Sequence, residues 1–419
     1  MVDIDGLLAS GQEIQTRAAD PDRDAIDGVL PRVVVRPLSR EGVAATLAWA
    51  SSAQLGLVLR GGGTKLQWGA RPLRLDVLLD TSGLNRVIDH QSGDLTVTVE
   101  AGVRLADLNR QLSLQGQWLA LDPPFAAATV GGLLATNDSG PSRHRFGTPR
   151  DLVIGIELAT ADGRIGKAGG RVVKNVAGYD LSKIISGSFG ALAAITSATF
   201  KLSPVPAASS SVVVEALDTD TSAALAEVVM GSQLEPVAFE LDARFERGEG
   251  GSISSLLRFA SFPAVVEAET ANASARVAAL HRKCRVVSGD DERRLWGAHG
   301  SRPWHEPGLI VRASWLPGNL GAMLLAIQSL SSHGRVEVTA RVGIGSGTFR
   351  LDVPDAAQGE IVDRMRALDV FGNVVVMRGP AFLRSQDWVW GQQRRTPLTA
   401  AIKNELDPNG ILGASRGPL

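Results

Sequence analysis

The chain has one cysteine, Cys284, among its 419 residues. A disulfide framework is therefore impossible, as is a cysteine-ligated iron–sulfur or zinc centre, and the cysteine usage points to a reducing compartment. Charge of one sign is not in excess either. Lys and Arg number 43 against 44 Asp and Glu, a formal net charge of -1, so nothing draws the whole protein to nucleic acid or to an anionic membrane. No stretch approaches the ~20 apolar residues of a membrane span, which excludes direct membrane insertion. The start, Met1-Val-Asp-Ile-Asp-Gly6, is acidic and lacks the basic region and apolar core of a signal peptide. The expectation is a cytoplasmic protein whose membrane association, if any, comes through a partner. The only tyrosine is Tyr179, and a lone tyrosine reads first as a core ring with a satisfied hydroxyl.

Glycine is what the chain has in surplus: 46 of 419 residues, about 11% against a usual ~7%. The two halves share them, 25 up to residue 210 and 21 beyond it, with the consecutive run Gly61–Gly63 in the first. Arg32–Pro37 reads as a strand and Ser39–Ala50 as a helix capped by Ser39. Leu55–Leu59 is a short buried strand. Together they make a β-α-β unit that delivers the next segment, Arg60-Gly61-Gly62-Gly63-Thr64, to a ligand. Strands follow at Arg74–Asp80, Leu95–Glu100 and Asp151–Ala159, with a helix over Arg104–Leu112. Ser203–Ser211 is rich in Pro and Ser and reads as a linker. Beyond it, strands (Ser211–Glu215, Ser254–Phe259, Leu309–Trp315, Gly347–Val353, Asn373–Arg378) alternate with amphipathic helices, the pattern of an α+β domain. Gly343-Ile-Gly-Ser-Gly347 is not a dinucleotide fingerprint, because a strand follows it where that site needs a helix.

Three glycines after a strand let the backbone turn and aim successive N–H groups inward, a nest for phosphate oxygens. Alone they are as consistent with an ordinary loop. Two more segments appear in order: Pro123-Pro124-Phe125 with Thr129-Val-Gly-Gly132 to Gly140 and on through Arg145 to Asp151, then Lys174 to Gly190, ending at Ile195. This triplet resembles the FAD-binding domain of the vanillyl-alcohol oxidase/cresol methylhydroxylase (PCMH-type) superfamily over residues ~30–205. Trp388-Val-Trp-Gly391 and Ala400–Leu412 are similar to the FAD-binding E subunit of bacterial glycolate oxidases. In relatives the tail continues Asn-Pro-Gly-Arg. Here it reads Gly413-Ala-Ser-Arg416, which leaves Arg416 as the remaining tail candidate for a cofactor contact.

The resemblance implies an α+β fold: a two-subdomain PCMH-type FAD-binding domain (1–205), an α+β cap of the FAD-linked oxidase C-terminal type (206–385), and a C-terminal segment (386–419) packing back on the first domain. It implies FAD, with Gly61, Gly62, Gly63 and Thr64 cradling the pyrophosphate beside Arg60 and with Lys65 offsetting its charge. Pro123, Pro124, Thr129, Gly131, Gly132, Ala135, Thr136, Ser139 and Gly140 continue the site, as do Arg145, Gly147 and Asp151, and Ile195 packs near the adenine. Arg145 and Lys174 are also readable as solvated surface charges, the usual fate of such residues. Many relatives tether FAD through a His or Cys in the first glycine loop. None lies between Arg60 and Gly69, so the cofactor is expected to be non-covalent.

The resemblance also implies a 2-hydroxy acid of the glycolate/D-lactate class as substrate, with a second flavoprotein subunit and an iron–sulfur subunit as partners. The alternatives are a relay or docking subunit without its own turnover and a single-chain alcohol or sugar oxidase. Related hydroxy-acid enzymes often carry a His-x-His metal pair. The six histidines here are nowhere closer than His299 and His305, a spacing that sets two imidazoles about 20 Å apart along a strand and beyond one helical turn, so no metal site is expected. Catalytic residues stay unassigned. Tyr179 is one candidate, and Arg312 and Arg341, in strand-like runs, are candidates to grip a carboxylate or to form structural ion pairs. His299 and His305 flank Trp304 in a proline-containing loop and read first as surface residues, with a general base as the alternative.

Overall fold

The computed structural model describes residues 4–170, 180–247, 251–391, 396–413 and 416–418. The α+β expectation holds. The chain forms two compact units, one of Met1–Ser139, Thr148–Val205 and Arg384–Leu419, the other of Gly140–Gly147 and Pro206–Leu383.

The first unit contains two main sheets. β1 (Ile14–Arg17), β2 (Val33–Pro37), β3 (Leu57–Arg60) and β4 (Val77–Asp80) run in the order β1-β2-β4-β3. β2, β4 and β3 are parallel, and β1 joins β2 antiparallel. The predicted helix is present as Arg40–Ser52, and the Ser39 hydroxyl accepts the Gly42 N–H at 3.0 Å. Its apolar side meets the sheet: Leu47, Leu57, Val77 and Leu79 are wholly buried, each such burial stabilising by about 1.5–3 kcal/mol. The C-terminal segment edges this sheet, with the Leu57 N–H donating to the Ile411 carbonyl at 2.8 Å.

The second sheet of this unit contains β5 (Val87–Gln91), β6 (Thr96–Glu100), β8 (Val153–Ala159), β9 (Ile165–Gly169) and β10 (Ala194–Lys201) in the order β5-β6-β10-β8-β9, all antiparallel. Two short strands, β7 (Gln117–Trp118) and β11 (Ser203–Pro204), pair separately. Strand β8 begins later than the sequence suggests. Pro149–Leu152 is one helical turn with a capping box between Thr148 and Asp151.

The second unit is one antiparallel sheet with helices. Its strands are β12 (Ala208–Leu217), β13 (Ala238–Phe245), β14 (Ser252–Ser261), β15 (Cys284–Ser288), β16 (Leu309–Ser314), β17 (Arg335–Arg341), β18 (Ser346–Asp352) and β19 (Asn373–Arg378), in the order β15-β12-β14-β13-β17-β18-β16-β19. Alternation separates the faces. Val336, Val338, Ala340, Phe349 and Leu351 are buried on one side, while Glu337, Thr339 and Arg341 take the other. The proline-containing loop expected around His299 is instead a helix, Gly289–His305. Pro303 falls in its last turn, where its missing N–H leaves the carbonyl four residues earlier without a helical donor.

Register also builds a charged knot in the first unit. Arg60 lies opposite Asp80 on the parallel β3–β4 pair. Its guanidinium bonds Asp80 and Asp24 at 2.6 Å each. Asp24 is wholly buried and also receives Arg17 and the Asp20 N–H. The Arg17 hydrogen bond above all, then the Asp20 amide and Arg60, hold its carboxyl far below the usual carboxylate range. A depressed acid stabilises the fold above its unfolded pKa and loses that contribution as pH falls. Asp24→Asn should therefore cost about 3 kcal/mol at neutral pH, read by urea denaturation, with the gap to the unsubstituted protein narrowing below about pH 4. A pH-independent gap would show that the charge is not the cause.

Candidate functional site

The first unit holds a cleft with about 910 Å³ of empty space, the open solvent at its mouth included. Its walls come from three places. β3 and the loop after it supply Val58 to Leu66, with Trp68. The second sheet's connections supply Thr129, Gly131, Gly132, Ala135 and Thr136, then Ser188 to Gly190, Ala193 and Ile195. The C-terminal segment supplies Gly413 and Arg416.

The glycine loop meets the second wall by direct backbone approach. A Cβ on Gly61 would overlap the Thr129 hydroxyl, and one on Gly62 the Ala127 carbonyl. Gly63 then takes φ +72°, the left-handed conformation that side chains disfavour. The bare main chain expected to admit a ligand therefore serves a second purpose, letting loops from the two sheets close on each other. Thr129 caps the helix Val130–Thr136, its hydroxyl accepting from the Gly132 N–H.

The charges differ from expectation. Arg60 lines the cleft, but its guanidinium is engaged by Asp24 and Asp80. Lys65 lies 3.3 Å from the buried Asp138 carboxylate and over the rings of Trp68 and Phe125, at 5.6 and 5.7 Å. Its cation is balanced within the protein by a carboxylate and two π-faces. Pro123 and Pro124 are not cleft-lining residues. They precede Phe125, whose ring packs edge-on against Trp68.

Of the other predicted site residues, Arg60, Gly61, Gly62, Gly63, Thr64, Lys65, Thr129, Gly131, Gly132, Ala135, Thr136 and Ile195 line the cleft. Ser139 does not. Asp151 accepts from the Thr148 N–H and hydroxyl at 2.8 and 2.7 Å, a capping role. Gly140, Arg145 and Gly147 belong to the second unit, where Arg145 forms an exposed pair with Glu235 at 3.1 Å, the surface-charge reading. Tyr179 and Lys174 lie outside the described residues.

Sequence reasoning missed Trp68, Thr81, Ser188, Phe189 and Gly190 as lining residues. The last three sit in the third motif and carried that signal. The Ser188 hydroxyl is buried and has no hydrogen-bond partner among the described residues. A buried polar atom facing a cleft in that state awaits a ligand group. The bare main chain, this hydroxyl and Arg416 at the wall fit an anionic, partly aromatic cofactor.

In the second unit, Arg312 and Arg341 share one face of the sheet. Arg312 pairs with Thr348 and Arg341 with Ser346, two residues apart on the intervening strand β18. The Arg341 Nε donates to the Gly140 carbonyl at 3.3 Å. Glu240 and Asp242 on β13 lie on the same face, opposite Arg341 and Thr339. His299 packs there too, only 1% exposed, rather than at the surface. Its Nε2 is 3.0 Å from Glu240 and its Nδ1 3.0 Å from Asp242. Burial alone would lower its pKa, but Asp242 and Glu240 outweigh it and lift the pKa to about 9. An imidazolium held by two carboxylates is no general base at neutral pH.

Residues 31–169, which include the glycine loop and the facing Thr129 wall of the cleft, match the family model described as FAD binding domain. Over this stretch the chain carries an FAD-binding domain of the PCMH-type superfamily. It is 37% identical to D-lactate dehydrogenase of Archaeoglobus fulgidus over 172 residues, 41% of this chain and 39% of that one. It is 34% identical to glycolate oxidase subunit GlcE of Escherichia coli over 204 residues, 46% of this chain and 57% of that one. To glycolate oxidase subunit GlcD of Bacillus subtilis it is 30% identical over 212 residues, 50% of this chain and 45% of that one. The chain thus spans about half the length of these relatives. A solved alkyldihydroxyacetonephosphate synthase superposes with TM-score 0.68 at 18% identity, over 92% of this chain and 77% of that one, a likeness of fold. No helix among the described residues is long and apolar enough to cross a membrane.

Two outcomes test the site. Gly62→Val should force the loop off the Ala127 carbonyl, cost about 1–3 kcal/mol and abolish flavin retention on gel filtration, whereas retention of yellow colour would refute the close-approach requirement. His299, with its raised pKa, contributes stability fully below about pH 6.5 and loses it as pH rises through about 9. Denaturation midpoints should fall across that window in the unsubstituted protein and stay flat in His299→Gln.

Proposed function

We propose that this chain is an FAD-dependent oxidoreductase that holds its cofactor non-covalently, oxidises a 2-hydroxy acid of the glycolate or D-lactate class, and passes the electrons to a partner. The observation that carries the proposal is the bare-backbone cleft within a domain whose relatives are named D-lactate dehydrogenases and glycolate oxidase subunits. Non-covalent binding is supported by the cleft walls, which contain no His, Cys or Tyr among the described residues. Bound FAD supplies a two-electron acceptor for the hydrogen on the hydroxyl-bearing carbon. The protein's residues would bind and orient it: the loop Gly61–Thr64 and Ser188 would offer donors to phosphate oxygens, and the apolar wall at Ile195 would pack against a ring. Arg312 and Arg341, on one sheet face, are the cations suited to a substrate carboxylate through paired N–H donors.

The partners proposed are a second flavoprotein subunit and an iron–sulfur subunit. Cys284 by itself cannot hold a cluster, so such a centre belongs to another chain. A relay subunit without turnover of its own is the second reading, favoured by one observation: the buried His299 is saturated by Glu240 and Asp242 and is not free to take a substrate proton.

Anaerobic mixing of the purified flavoprotein with glycolate or D-lactate is expected to bleach the yellow band, and acid precipitation should leave the flavin in the supernatant. No bleaching without the partners, and bleaching once they are added, selects the relay reading. Flavin that stays with the precipitate overturns the non-covalent assignment.

A further inference from the structure

The cofactor proposed above is an anionic diphosphate, yet the two cations of the glycine loop are balanced inside the protein, Arg60 by Asp24 and Asp80 and Lys65 by Asp138. The remaining buried cations near the cleft lie in the C-terminal segment. Arg416 is 6% exposed and lines the cleft. Its guanidinium donates to the carbonyls of Leu66, of Trp68 at 2.8 Å and of Ala70 at 3.0 Å. Arg384, 3% exposed, takes the carbonyls between them, Gln67 and Gly69. Every carbonyl from Leu66 to Ala70, directly after the glycine loop, is thus held by one of two guanidinium groups.

The main chain locks the same contact. The Ala70 N–H and the Trp390 Nε1–H both donate to the Arg416 carbonyl at 3.0 Å, and a Cβ on Gly69 would crowd that carbonyl. The charge is unbalanced. Two buried guanidinium groups face one carboxylate, Asp27, which pairs with Arg384 at 3.0 Å. Burial pulls Arg416 down to about 10 and pushes Asp27 up, as expected where charges lack full compensation.

We infer that Arg416 and Arg384 form a positioning and charge-balancing clamp for the cofactor site, holding the loop Leu66–Ala70 in its binding shape and supplying the positive charge that the FAD diphosphate compensates. This rests on the FAD reading. By linkage, each side orders the other: the diphosphate stabilises the C-terminal segment, and the segment secures the diphosphate.

The test uses full-length apoprotein and FAD, with ADP as a displacing ligand that carries the diphosphate without the flavin. Arg416→Met and Arg384→Met should each weaken FAD and ADP together by about 10- to 100-fold, the range of a lost charge-assisted contact. Arg416→Lys should lose less than Arg416→Met because it keeps the charge. Unchanged FAD affinity in a folded Arg416→Met, or loss of FAD with ADP unaffected, overturns the clamp. Failure of the unsubstituted protein to bind FAD overturns the cofactor reading, and this inference with it. If the variants do not fold, limited trypsin digestion of the unsubstituted apoprotein decides. Release of the C-terminal fragment should slow about tenfold with either FAD or ADP, and equal rates with and without ligand overturn the linkage.

Discussion

The cleft depends on one close approach, where the backbone of Gly61 and Gly62 comes against Thr129 and Ala127 with no room for a side chain. One partner follows a strand of the parallel sheet. The other starts a helix that packs on the antiparallel sheet. If they stood a methyl group further apart, the walls would no longer converge. Interiors pack too densely to absorb such a gap elsewhere. The same geometry explains why the loop is glycine at consecutive positions and why Gly63 can turn through positive φ directly after them.

Within each unit the protein settles its charges internally. Arg60, Lys65 and His299 are all buried or nearly so, and each sits on carboxylates at 2.6–3.3 Å. Buried ions persist only when paired. Such pairs hold positions well but offer little net field to a substrate or cofactor. The C-terminal segment differs, because its two arginines are satisfied by neutral carbonyls and share a single acid. The sites with charge to offer are thus distinct from those the glycine motif advertises.

The second unit shows the same division at the level of a sheet. One face is apolar and carries the core. The other collects Glu240, Asp242, Glu337, Thr339, Arg341, Thr348 and Arg312 through the period-2 alternation of adjoining strands. The helix Gly289–His305 covers part of it and brings His299 to the carboxylates. The proposed carboxylate contact rests on this polar sheet face, which carries both Arg312 and Arg341.

Short-range physics dictates the features that the residues alone reveal. Ser39 and its helix, the alternation of Thr96–Glu100, the strand before the glycines and the order of the three glycine-rich segments are all settled within a few residues, and from them the superfamily, the α+β class and most of the cleft wall were legible. Tertiary structure decided what depends on partners far along the chain. Lys65 is balanced by Asp138, Arg60 by Asp24 and Asp80, His299 by Glu240 and Asp242, and the carbonyls after the glycine loop by Arg384 and Arg416. A residue's type announces that it carries charge. Which opposite charge or carbonyl meets it follows only once the strands have chosen their register and the chain end has returned to the first sheet, because Coulomb attraction and hydrogen bonding act over a few ångströms of space rather than along the sequence.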